Sequence, residues 1–220
     1  MATDPLPDYL REYQDSLVPA RPKEMVAMEA YAKENRFPII GPASGYFCYQ
    51  VARILGATRI FELGSGYGYS TAWFAKAVQE NIANGASAEG AVVHHVVWDE
   101  GLSQMAKKHL AVLGFEGLIQ YRMSEAIAAL RETEGPFDLI FNDIDKQAYP
   151  ESIPFIKEKL RPGGALLIDN MLWHGAIFDK SDDSPANKGV LEATRMLTTD
   201  PDFISTLIPV RDGVICAVKK

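Results

Sequence analysis

Residues 59–70 read Arg59-Ile-Phe-Glu-Leu-Gly-Ser-Gly-Tyr-Gly-Tyr-Ser70. A short apolar strand, Arg59 to Leu63, runs into three glycines at alternate positions, Gly64, Gly66 and Gly68. A helix-forming run follows, from Ser70 to Gln79. Strand, glycine turn and helix open an α/β unit, and in such sheets ligands bind beyond the carboxyl ends of the strands. Glycine takes backbone angles that other residues avoid and lets the chain come close to a ligand. The spacing is GxGxG, not the GxGxxG of dinucleotide-binding folds. Glu62 stands at the strand end, where a carboxylate repels a pyrophosphate and attracts an ammonium group. These residues favour a cationic, amino-acid-bearing ligand over NAD. A tight strand-to-helix turn with no ligand is the plainer alternative.

Outward from this turn the alternation continues. Apolar strand patterns recur at Val92 to Val97, Leu118 to Arg122, Phe137 to Asn142 and Ala165 to Ile168. Helical patterns separate them at Leu102 to Leu113, Ser124 to Arg131 and Tyr149 to Leu160. Upstream, residues 5–55 read as helical. Met25, Met28 and Tyr31 share one face of a helix from Pro22 to Asn35, and a second helix runs from about Ala43 to Leu55 beyond Pro38, Gly41 and Pro42. Downstream, a polar loop from Asp179 to Asn187 precedes a helix to about Leu197. Two closing strands, Ile204 to Val210 and Val214 to Val218, flank Asp212-Gly213 as a hairpin turn. Alternating strands and helices predict a mostly parallel sheet covered on both faces, with an antiparallel edge from the hairpin. No repeat or linker interrupts it. The expectation is one α/β domain over 1–220, with a helical N-terminal extension over 1–55 and the binding core over 56–220.

Composition bounds the function. The chain has 220 residues, 47% hydrophobic and 23% charged, which is ordinary for a globular protein. Twenty-two basic against 29 acidic residues leave a net charge of −7. Phosphate neutralisation needs clustered Lys and Arg, so the balance argues against a general polyanion binder while leaving room for a small basic pocket. Cys48 and Cys216 make no CxxC pair; two buried thiols in a reducing compartment are expected. No basic start followed by an apolar stretch marks a signal peptide, and no window approaches a membrane span. A cytoplasmic location is the default expectation.

Oxygen donors gather at two strand ends. Asp143 closes the fourth strand, and Asp169-Asn170 close the fifth. Adjacent strands lie about 4.8 Å apart, so these groups can converge on one ion. Two carboxylates and an amide oxygen suit a hard divalent cation; capping of the following turns is the alternative. Lys146 lies three residues after Asp143. Beside a divalent cation, like-charge repulsion lowers a lysine pKa and fits it to accept a proton. A solvated surface lysine is the common case.

The stretch Phe61 to Ser70 resembles motif I of class I S-adenosylmethionine-dependent methyltransferases. Asp138-Leu-Ile-Phe-Asn-Asp-Ile-Asp-Lys146 with Tyr149, Leu160-Arg-Pro-Gly-Gly164, Asp169-Asn-Met-Leu-Trp-His-Gly175 and Pro209-Val-Arg-Asp-Gly213 narrow the resemblance. Together they resemble the metal-dependent O-methyltransferases of the catechol and caffeoyl-CoA type, over about residues 20–220. The resemblance implies a Rossmann-like class I methyltransferase fold with seven strands, and methyl transfer to a small acceptor with vicinal oxygens. It assigns Asp143, Asp169 and Asn170 to a divalent cation (Mg²⁺, with Mn²⁺ or Ca²⁺ as alternatives). It makes Lys146 the general base, beside Asp143. Glu62, Gly64 and Ser65 fall to the methionine part of the cofactor and Ser70 to its carboxylate end. Ile40, Ala126 and Asp145 flank the cofactor, and Ser124 and Glu125 face its adenine. Homodimers and an acceptor pocket shaped by the N-terminal segment are further implications.

One position departs from the family pattern. The acid that ends the second strand and holds both ribose hydroxyls is replaced by Val97. Losing such a partner costs on the order of 1–3 kcal/mol. Asp99, two residues on, is the expected substitute; weak cofactor binding and a ligand other than S-adenosylmethionine are the alternatives. Two rival readings remain: a tRNA hydroxylated-base O-methyltransferase, against the acidic charge, and a non-catalytic cofactor-binding protein. A NAD-dependent dehydrogenase is disfavoured by the glycine spacing and Glu62.

Other residues carry smaller expectations. His94 and His95 face opposite ways across a strand, one partly buried and one near the surface. His109 is expected on a helix surface. His174 and Trp173 are candidate acceptor contacts. Tyr149 reads as a packing residue, and Asn142 has no functional assignment. Phe178 to Ala186 reads equally as a lid or an exposed connection.

Overall fold

The structure, a computed structural model, describes residues 7–220. Among these residues seven strands form one sheet in the order β3-β2-β1-β4-β5-β7-β6. They are β1 Arg59–Leu63, β2 Val92–Val97, β3 Ile119–Met123, β4 Phe137–Asn142, β5 Leu160–Ile168, β6 Phe203–Ile208 and β7 Val214–Lys219. Strands β1 to β5 pair in parallel, whereas β7 runs antiparallel to both β5 and β6. The class I methyltransferase sheet expected from the sequence is present. Strand order reverses between β1 and β4, which opens a crevice beyond their carboxyl ends.

Among the described residues, eight α-helices flank the sheet: α1 Asp8–Ser16, α2 Lys23–Asn35, α3 Gly41–Ile54, α4 Tyr69–Ala83, α5 Glu100–Val112, α6 Ala126–Glu132, α7 Tyr149–Lys159 and α8 Pro185–Thr199. Successive strand residues point to opposite faces, so β1 feeds two cores. Ile60 packs with Phe74, Val93 and Leu139, and Met25 and Met28 of α2 join that layer. Phe61 and Leu63 pack on the other face with Ile140, Ile153 and Val190. Burial on both faces is why the parallel strands read as nearly continuous apolar runs.

Several boundaries shift for local reasons. Residues 5 and 6 of the expected helical stretch lie outside the described residues. Helix α3 starts at Gly41, two residues early, because Pro42 fits a first helical turn that needs no N–H donor. Helix α6 starts at Ala126 because both Glu125 carboxylate oxygens accept N–H bonds, from Ile127 and Ala128. Strand β5 extends back to Leu160, which pairs with Phe137. Arg161 Nε donates to Asp138 Oδ1 at 2.6 Å beside that join. Residues 173–178 wind into short 3₁₀ turns on either side of a kink, where His174 and Gly175 have φ of 51° and 82°.

The histidine expectation is overturned. Both His94 and His95 are buried, because helices cover both faces of β2. His94 stacks on Phe61 at 5.3 Å. His95 Nδ1 lies 3.0 Å from Thr71 Oγ1. Burial pushes their pKa values down to about 4 and about 3, so both are neutral at pH 7. His109 is no free surface group either: its Nδ1 meets Glu24 Oε1 at 2.6 Å and ties α5 to α2. Asn142 also finds its explanation here, as a buried amide donating to Ser152 Oγ at 2.8 Å.

Candidate active site

A cleft of about 970 Å³ opens at the switch point between β1 and β4. The glycine loop forms its floor. Gly64 has φ +85°, and a Cβ there would stand 2.6 Å from the carbonyl oxygen of Asp143. Asp143 N in turn donates to Leu63 O at 2.9 Å. Glycine is therefore required where the loop meets the end of β4. Ser65 pins the other side, its Oγ accepting from Val96 N at 2.9 Å.

Gly64, Ser65 and Ser70 line the cleft, as do Ile40, Ala126 and Asp145. So do Asp143, Lys146, Asp169 and Asn170. The fold thus brings one cavity together from the ends of β1, β4 and β5 and the starts of α3, α4 and α6. Two expected residues stand elsewhere. Asp99 is exposed and does not line the cleft; its Oδ1 accepts from Leu102 N at 2.8 Å and caps α5. Glu62 is wholly buried beneath the loop. Thr71 Oγ1 bridges Glu62 Oε2 and His95 Nδ1 beneath the loop. Burial pushes the Glu62 carboxyl up to about 7, against the pull of the Ser70, Thr71 and Ser65 hydroxyls.

The acidic end of the cleft is held by paired charges. Lys146 Nζ donates to Asp143 Oδ1 at 2.7 Å and to Ile144 O at 3.2 Å. The ammonium lies 5.3 Å from the Tyr149 ring centroid and 5.9 Å from that of Trp173. Asp169 is buried; Arg211 donates to its Oδ2 at 3.0 Å, while its Oδ1 has no hydrogen-bond partner. Burial raises the Asp169 carboxyl above the usual carboxylate range, with Arg211 opposing. Tyr149, the expected packing residue, is fully buried and donates its hydroxyl to Asp169 O at 2.9 Å.

Sequence reasoning missed two of these residues. Arg211 faces the cleft and Asp169 at once. Asp212 is buried, accepts from Asn170 Nδ2 at 3.0 Å and from His174 N at 2.7 Å, and so orients both. Their signal was the stretch Pro209 to Gly213, read only as motif and hairpin turn. The turn also grips the next loop: Leu172 N donates to Asp212 O, and Met171 N to Gly213 O. Trp173 and His174 line the cleft, whereas of the stretch from Phe178 to Ala186 only Ala186 does.

The donor set bears on whether a divalent cation fits this end of the cleft. Among the described residues no three His, Cys, Asp or Glu side chains gather as a metal cluster. The set at hand is two carboxylates and an amide, all oxygen donors, which is what a hard cation takes. The orphaned Asp169 Oδ1 is a buried acceptor awaiting a positive partner. These residues fit a cation.

The O-methyltransferase family profile matches residues 22–220. The chain belongs to the O-methyltransferase family. This O-methyltransferase is 30% identical over 190 residues to a catechol O-methyltransferase of Niastella koreensis, spanning 82% of each protein. It is 25% identical to caffeoyl-CoA O-methyltransferase 2 of Populus trichocarpa, over 97% of this chain and 88% of that one. Among solved structures, an O-methyltransferase from Bacillus cereus in complex with SAH shares the fold. Its TM-score is 0.83 at 24% identity, over 96% of this chain and 97% of the other.

Proposed function

We propose that this O-methyltransferase moves a methyl group from S-adenosylmethionine to one hydroxyl of a small acceptor with vicinal oxygens. A catechol or hydroxycinnamoyl acceptor fits best, with a divalent cation held by Asp143, Asp169 and Asn170. The carrying observation is the buried, unpartnered Asp169 Oδ1 inside an all-oxygen donor set at the mouth of the cleft. The names of the catechol and caffeoyl-CoA relatives support the acceptor class. The net charge of −7 supports a small acceptor over RNA.

The residues divide the work. Gly64, Ser65 and Ser70 receive the methionine end of the donor, and Ile40, Ala126 and Asp145 flank it. Glu62 braces the loop from below through Thr71. When bound, a divalent cation lowers the pKa of a coordinated hydroxyl. Lys146 Nζ, placed by Asp143 at 2.7 Å, would take the hydroxyl proton from its neutral amine form, its own proton having left to solvent once a cation occupies the Asp143 carboxylate. Trp173 and His174 wall the acceptor side. Asp212 and Tyr149 hold Asn170 and the Asp169 backbone in place. Fixed orientation of the two reactants supplies a large part of the acceleration.

Two coarser features join the proposal. Tyr9, Tyr13 and Leu17 stand in one row on α1 and are 74%, 61% and 64% exposed, which supports a homodimer. Cys48 and Cys216 are free thiols, which supports a reducing, cytoplasmic compartment.

The test is methyl transfer to catechol from labelled S-adenosylmethionine, with Mg²⁺ and after chelation. Chelation is expected to abolish turnover. Lys146→Met is expected to keep cofactor binding and lose about 10²–10⁴ in kcat. Undiminished turnover after chelation would sink the cation assignment.

A further inference from the structure

The nucleoside end of the cleft lacks a group that doubly wound sheets commonly place there. In such folds an acid near the end of the second strand accepts the ribose hydroxyls. Here Val97 ends β2, is 5% exposed and lines the cleft between Val96 and Trp98. The two carboxylates that open the helices after β2 and β3, Asp99 and Glu125, cap their own helices. Asp99 Oδ1 caps α5 at 2.8 Å from Leu102 N, and Asp99 is not part of the cleft wall. Glu125 lines the cleft, yet its Oε1 and Oε2 accept from Ile127 N at 2.9 Å and Ala128 N at 2.7 Å. Turning either oxygen toward a ligand would uncap α6. Trp98, by contrast, offers an indole that is 82% exposed on the same rim. A flat aromatic surface takes a purine face by stacking.

We infer that this enzyme holds the nucleoside of its methyl donor by an apolar wall at Val97 and stacking on Trp98, not by a carboxylate on the ribose diol. It therefore accepts donors altered at the 2′ or 3′ position of the ribose. The inference rests on the S-adenosylmethionine reading above and names a specificity of that same site.

The experiment is calorimetric binding of S-adenosylhomocysteine and of its 2′-deoxy and 3′-deoxy analogues to the full chain. Wild type is expected to bind all three within about threefold, since no hydrogen bond to a charged group is lost. Val97→Glu is expected to prefer the intact diol by tenfold or more. Trp98→Ala is expected to weaken all three ligands alike, by fivefold or more. Discrimination of tenfold or more against a deoxy analogue by wild type would overturn the inference alone. Unchanged affinity in Trp98→Ala would overturn its stacking half. Absence of binding by S-adenosylhomocysteine itself would overturn the donor reading, and the inference with it. The wild-type comparison stands even if Val97→Glu fails to fold.

Discussion

At the scale of single residues, Glu62 shows how burial changes the meaning of a motif acid. In the sequence it is a carboxylate beside a glycine loop, placed to attract an ammonium group. In the fold it lies wholly buried under that loop, with Thr71 bonded to one of its oxygens. Its carboxyl is pushed from 4.5 up to about 7 by burial. Between those values the folded state holds a proton that the unfolded chain has released. The contribution of Glu62 is thus full below about pH 4.5 and is lost as pH rises through about 7. Glu62→Gln stays neutral throughout. Its ligand-free Tm should exceed that of wild type by about 3 °C or more at pH 8, with the gap closing at pH 5. Scanning calorimetry at the two pH values decides it; equal Tm at pH 8 would mean the ionised carboxylate carries no folding cost. Asp169 teaches the same lesson. Its place at a strand end was legible, but the Arg211 guanidinium on one oxygen was not, because 42 residues separate the two.

At the scale of elements, helix α8 and the turn carrying Lys146 fit through one glycine. A Cβ on Gly189 would stand 2.1 Å from Lys146 O and 2.8 Å from Gln147 Cα. Alanine normally improves a helix interior by about 1 kcal/mol over glycine. Overpacking reverses that sign here: Gly189→Ala should destabilise the protein by about 1–3 kcal/mol in urea unfolding. Because the displaced turn carries Lys146, kcat should fall as well. A stabilised variant with unchanged kcat would show that the turn yields freely. The alternation of strands and helices was readable from apolar patterning, whereas Gly189 read only as an ordinary residue in a helix. Element ends were set by capping: Glu125 and Pro42 moved two helix starts by a residue or two, within the reach of local rules.

At the scale of the whole molecule, the N-terminal helices join two tasks. Met25 and Met28 of α2 enter the sheet core, as their spacing predicts. Helix α1 buries none of its residues and turns Tyr9 and Tyr13 to solvent. In the proposed dimer this row is covered by the second copy. Wild type is expected to sediment as a dimer at micromolar concentration, and Tyr9→Ser combined with Leu17→Ser to sediment as a monomer. A monomeric wild type would remove the dimer from the proposal. The row is visible in the sequence only once α1 is known to leave it outside the core.

Local chemistry alone dictated the α/β alternation, the glycine loop and the oxygen donors at two strand ends, because each depends on residues close together in the chain. Periodicity decides which element forms, and a strand end is a position that a sequence marks. The switch point between β1 and β4 then gathered those strand ends into one cleft. Only that gathering could bury both His94 and His95, press Gly64 against Asp143 and put Arg211 on Asp169. It also committed Asp99 and Glu125 to their own helices, leaving Val97 and Trp98 to face the cleft. Such contacts join residues far apart in the chain, and pairwise burial and charge exist only once the layers have packed.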